Sequence, residues 1–175
     1  MLRRACTLAA SLAMLLAMAA LAPAAVGTGS SQSVSLDLGV FQQLNAIRVE
    51  HGLAPLSLSP RLAAAAEAHS QDMVANGYFS HDSSNGAPFS DRLAAFYPEA
   101  GARRWAVGEN IYWSTGQPSA TRGVDAWMAS PPHRANILDP SWRQIGIGAV
   151  TSPDAPGTYG GRAVTVITAD FGVRG

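Results

Sequence analysis

Residues 59–77 read SPRLAAAAEAHSQDMVANG, a stretch that carries its own start and stop. Ser59 suits an N-cap, Pro60 the first helical turn, and Asn76-Gly77 the end. Between them Leu62, Ala65, Ala66, His69 and Met73 fall three or four residues apart, which places them on one face of a helix. A second stretch, residues 144–150, reads QIGIGAV. Its alternation puts Ile145, Ile147 and Ala149 on one face of a strand and Gly146 and Gly148 on the other. Glycines at alternate strand positions let another element approach closely.

Working outward, residues 163–172 form a further strand, joined to the first through a long Pro- and Gly-rich hairpin loop over 151–161. Residues 110–113 are rich in Ile, Tyr and Trp and form another strand. Residues 118–129 form a helix with Val124, Trp127 and Met128 inward. Pro131-Pro132 stops it and starts a short turn carrying His133. Residues 78–107 are mostly loop, with a short helix over 89–96. A first helix spans 39–51, where Val40, Leu44 and Ile47 make one apolar stripe. Helices first and strands last in a chain of 175 residues point to an α+β fold, a three-layer α-β-α sandwich.

The N-terminus reads as a signal peptide over residues 1–24. It has a basic start at Arg3 and Arg4, an apolar run over 5–21 and a small-residue site at Ala22-Pro23-Ala24. Residues 25–38, rich in Gly and Ser, read as a flexible leader, which leaves 39–175 as the domain. The only cysteine, Cys6, lies in the signal segment, so the mature chain is expected to have no disulfide and no cysteine nucleophile. The expected location is secreted or extracytoplasmic, with no stable membrane span after cleavage. The formal charge is +0, every basic residue is arginine, and no basic run suggests nucleic acid. Nothing in the pattern suggests more than a monomer.

Among the four histidines, His51 sits at a helix end where it offsets the helix dipole. His69 shares the apolar face of the 59–77 helix and reads as a structural core residue, with Ser70 or Asp72 as its partner. His81 and His133 sit in turn-like sequence, where function tends to lie. Glu109 opens an apolar strand, an awkward place for a lone carboxylate. It either caps a turn or pairs with an arginine, or it joins the two histidines as a ligand set for a divalent metal such as zinc. No G-x-S-x-G elbow and no phosphate loop occurs. Trp105, Trp113, Trp127 and Trp142 read as core and cleft wall.

Several of these segments together resemble a known family. They are Ala68-His69-Ser70-Gln71-Asp72-Met73, Tyr78-Phe79-Ser80-His81, Gly108-Glu109-Asn110-Ile111, Trp127 through Leu138 and Ile145-Gly146-Ile147-Gly148. In this order they resemble the bacterial branch of the CAP superfamily, whose domain is also called SCP. The resemblance covers about residues 38–172. It implies an α-β-α sandwich with a large central cleft holding two histidines and two glutamates, where some members bind a divalent metal (Zn or Mg). By motif, His81 matches the first histidine, Glu109 the glutamate and His133 the second histidine. The second glutamate falls near Ser130 and is absent, leaving water or a nearby hydroxyl in its place. The family disulfides are absent too.

The resemblance favours a binding module holding a small hydrophobic or cell-envelope ligand (a lipid, sterol or cell-wall fragment) in or beside the cleft. The alternative is a metal-dependent hydrolase in which Glu109 serves as ligand or general base. A third reading is a structural protein with a vestigial cleft.

Overall fold

The structure, a computed structural model, describes residues 28–175. The proposed signal peptide and Cys6 lie outside the described residues. The elements run α1 (Thr28–Glu50), β1 (Ser57–Leu58), α2 (Pro60–Asn76), α3 (Phe89–Phe96), β2 (Trp105–Thr115), α4 (Ala120–Ala129), α5 (Pro131–Ile137), β3 (Gln144–Ala155), a 3-10 turn (Gly157–Tyr159) and β4 (Arg162–Arg174). The sheet order is β1-β3-β4-β2; β1 lies parallel to β3, and the other pairs are antiparallel.

Strand alternation divides the core. Ile145, Ile147, Ala149, Ile167, Ala169 and Phe171 face one way and pack with Leu36, Val40 and Leu44 of α1, and with Val124 and Trp127 of α4. Ile111, Val164 and Val166 face the other way, onto Met73 and Val74 of α2. Leu62 and Ala65 of α2 pack with Leu93 of α3 and Tyr97. The result is the expected three-layer α-β-α sandwich, with α2 and α3 on one face of the sheet and α1, α4 and α5 on the other. The two glycines of β3 set the spacing on the α2 face. A Cβ at Gly146 would stand 2.0 Å from the backbone nitrogen of Ala63, and one at Gly148 2.1 Å from that of Glu67. Helix α2 therefore lies with its backbone directly on the strand, and Ser70 donates its hydroxyl proton to the Gly148 carbonyl at 2.7 Å.

Two expectations change. The stretch read as a flexible leader is helical from Thr28 onward, so the folded unit begins well before residue 39. Leu36 joins Val40 and Leu44 at four-residue spacing in the core, and the Asp37 carboxyl accepts the backbone N–H of Ala149 at 2.9 Å on the outer edge of β3. Burial pushes Asp37 up to about 7. Serines and glycines lower helix propensity, but tertiary packing outweighs it. The second change is length. Strand β2 runs eleven residues, not four, and β3 continues through much of the expected hairpin loop. The Ser59 cap, the α2 end at Gly77 and α3 lie where the sequence places them.

Candidate functional site

Strand β2 is an edge strand, and the site is built on it. Adjacent strand residues point to opposite faces, so Glu109 and Asn110 each reach a different layer. Glu109 points to the α2 and α3 side, where Oε1 accepts the Nδ1 proton of His81 at 2.8 Å and Oε2 accepts from Nη2 of Arg92 on α3. Asn110 points to the opposite side and donates to the His133 carbonyl on α5 at 3.1 Å. Asn136 of the same helix donates to Asn110 Oδ1 at 3.1 Å. Gly108 completes the motif: a Cβ there would stand 2.7 Å from Oδ1 of Asn136 and 2.9 Å from the Trp142 ring. The Gly-Glu-Asn triplet thus ties one histidine-bearing element to each face of one strand edge.

Glu109 is enclosed. Its side chain is 1% exposed and that of Arg92 is 8%, whereas the His81 ring above them is 46% exposed. Arg92 also donates to the His81 carbonyl at 3.2 Å and to the Ser83 hydroxyl at 3.1 Å, which fixes the loop bearing His81. A carboxylate only accepts, so Nδ1 of His81 carries the proton of this bond, and Nε2 is the ring nitrogen left outside it. His133 is held differently. Its Nδ1 lies 2.8 Å from the Ser130 hydroxyl, and burial, with His81 nearby, lowers its pKa and favours the neutral ring. Ser130, at the position of the missing glutamate, thus supplies the orienting group for His133.

The set of His81, Glu109 and His133 expected as metal ligands does not form a ready cage. Among the described residues no three His, Cys, Asp or Glu side chains are grouped to hold an ion. Both Glu109 oxygens are engaged, by His81 and by Arg92. Two imidazole Nε2 atoms remain as donors, a pair short of the three or four protein ligands usual for zinc.

His69 lies beneath the site, fully buried, and donates from Nε2 to the Ser80 carbonyl at 2.9 Å, with Glu109 Oε1 at 3.9 Å. Its partner is therefore neither Ser70 nor Asp72. Ser70 turns to Gly148 and Thr168. Asp72 holds the loop after α2 through Tyr78, Asn76, and the backbone and hydroxyl of Ser84. Burial lowers the His69 pKa and keeps the ring neutral. His51, exposed at the end of α1, bonds the Ile47 carbonyl through its ring.

Asp170 was not anticipated. It is the cross-strand partner of Glu109 on β4 and is fully buried, where its carboxyl faces that of Glu109 and shares a side-chain hydrogen bond with it. Burial and the neighbouring Glu109 push its carboxyl well above the usual range, so it is a neutral acid. The signal in the sequence is a lone carboxyl within the apolar run VTVITADF over 164–171. Arg92 appears in the sequence only as one arginine among several that could pair with Glu109.

The chain is 40% identical over 127 residues to the uncharacterized protein YkwD of Bacillus subtilis, a match covering 71% of this chain and 47% of that protein. It is 37% identical over 109 residues to the uncharacterized membrane protein YlbC of the same organism, covering 62% and 30%. The chain thus spans less than half the length of these curated relatives. An extracellular protein containing a SCP domain from Bacillus anthracis superposes with a TM-score of 0.66 at 27% identity, over 88% of this chain and 45% of that one. An outer surface protein of Borrelia burgdorferi superposes with a TM-score of 0.65 over 81% of this chain and 94% of that one, and its 16% identity speaks for the fold alone. No helix among the described residues is long and apolar enough to cross a membrane. The model of the CAP family, described as the cysteine-rich secretory protein family, matches residues 41–170, and the chain belongs to that family.

Proposed function

We propose that this chain is a secreted CAP module that binds a cell-envelope ligand at the cleft between His81 and His133. The observation that carries this reading is the engagement of Glu109. A carboxylate held by His81 and by a buried arginine orients an imidazole and is not free to take a proton from water. The site therefore presents two imidazole rings, each held through Nδ1, by Glu109 and by Ser130, so that both Nε2 atoms are left to meet a ligand. A divalent ion belongs to the proposal as a modulator on those two nitrogens, with Glu109 and Ser130 behind them as orienting groups. Secretion rests on the basic and apolar N-terminal pattern, and the extracellular nature of the Bacillus anthracis relative supports it.

The test uses the mature protein with solubilised peptidoglycan fragments and with vesicles of bacterial lipid. Saturable binding that His81→Ala and His133→Ala both abolish, without turnover of peptide or ester substrates, is the expected result. Turnover that a chelator stops would replace this reading with a metal-dependent hydrolase.

A further inference from the structure

The outer edge of β2 has a chemistry of its own. Arg104 and Gly175 exchange both backbone hydrogen bonds, which fixes the phase of the β2–β4 ladder. Even-numbered residues of β2 bond to β4, and the N–H and C=O groups of Trp105, Val107, Glu109, Ile111 and Trp113 point away from the sheet. The indole of Trp127 donates to the Ile111 carbonyl at 3.0 Å and closes the edge there. At Val107 and Glu109 no partner among the described residues takes the outward N–H or C=O groups. Glu109 as a whole residue is 7% exposed although its side chain is only 1% exposed. What solvent reaches at Glu109 is main chain.

We infer that the outer edge of β2 at Val107 and Glu109 is a docking edge for an extended peptide segment, held between His81 and His133. This rests on the cleft reading above and names its ligand class. An edge that offers N–H and C=O groups at every second residue is matched by a chain carrying the same alternation. A lipid tail leaves those groups unpaired, and a sugar ring does not repeat at the strand's ~3.3 Å per residue. Trp127 limits the register, so the bound segment is short, about five residues. His81 and His133 stand at the lips, where they meet side chains or carbonyls of the docked strand. The Gly-Glu-Asn triplet thus has two roles: its side chains hold the lips, and its main chain forms the edge.

The probe is a library of acetylated, amidated heptapeptides screened against the mature protein, followed by an N-methyl scan of the best binder. Methylation at alternate amides is expected to weaken binding about five- to tenfold per site, while the intervening positions tolerate it, because alternate amides face the edge. Val107→Pro removes an outward N–H without breaking a bond to β4, as edge strands permit. It is expected to lose about tenfold in affinity. Val107→Ala, which trims the side chain and keeps the N–H, is expected to lose much less. If Val107→Pro does not fold, the N-methyl scan on the unaltered protein still decides. A library with no binder at millimolar concentration, or a binder indifferent to N-methylation, overturns the peptide assignment. If envelope fragments still bind in a manner that depends on His81 and His133, only the peptide assignment has failed. If they bind independently of both histidines, the cleft reading has failed as well.

Discussion

Replacing Glu109 with glutamine removes one charge and almost no volume, so it isolates the electrostatic role of the residue at the centre of the site. In the folded protein the Glu109 side chain is 1% exposed and its charged partner Arg92 is 8% exposed. The ion pair is therefore out of water, where breaking one side costs about 3–5 kcal/mol because the other charge stays buried. Arg92 keeps its bonds to the His81 carbonyl and the Ser83 hydroxyl, which offsets part of that cost. The new amide N–H₂ would also face either Arg92 or the Nδ1 proton of His81, donor against donor. The expected loss for Glu109→Gln is thus about 3 kcal/mol. For a domain of this size that is a fall in Tm of roughly 6–12 °C. Urea denaturation and calorimetry of the mature protein measure it. The double variant with Arg92→Met should recover a large part of the loss, since an apolar replacement of similar length removes the stranded charge. A Glu109→Gln protein within about 0.5 kcal/mol of the parent, or a double variant less stable than either single one, would refute the buried-pair account.

Gly148→Ala should destabilise by about 3 kcal/mol or more and lower the urea midpoint, because its Cβ would stand 2.1 Å from α2 backbone that cannot rotate away. His69→Ala should cost about 1–3 kcal/mol by stranding the Ser80 carbonyl. The folded-state pKa of His69 is depressed, so its contribution is complete above the unfolded value of about 6.5 and is lost as pH falls below it. A neutral, isosteric His69→Gln should flatten that acid limb in denaturation curves taken between about pH 5 and 7.5, and an unchanged slope would contradict the assignment. Asp37 has the opposite sign. Its folded pKa is raised from 3.8 to about 7, so the folded state binds the proton more tightly and stability falls as pH rises through that window. Asp37→Asn should therefore gain stability at pH 8, about 1 kcal/mol after allowing for solvent screening at this half-buried position. A loss at pH 8 would count against it. Zinc titration should show weak affinity at the two imidazoles, and Ser130→Glu should tighten it by returning a carboxylate beside His133.

Patterns that lie within one element were legible in the sequence. Ser59, Pro60 and Gly77 bound α2 because caps act on backbone groups a turn away. The close approach at Gly146 and Gly148 was legible because a missing side chain every second residue has few other uses in a strand. His81, Glu109 and His133 were marked by residue type and motif before their geometry was known. Which of them touch, and through what, was decided only in three dimensions. The choice of Arg92 for Glu109 spans 17 residues, and that of His81 spans 28. Both depend on how α3 and its preceding loop settle against β2, which no local period encodes. The same holds for the helical start at Thr28, where packing of Leu36 and the Asp37 bond to Ala149 outweigh a sequence that reads as linker. The edge position of β2 is likewise a property of strand order alone. It turns an 11-residue strand with an ordinary alternation into an edge whose outward main-chain groups at Val107 and Glu109 have no partner among the described residues, because a strand's own sequence does not say how many neighbours it will have.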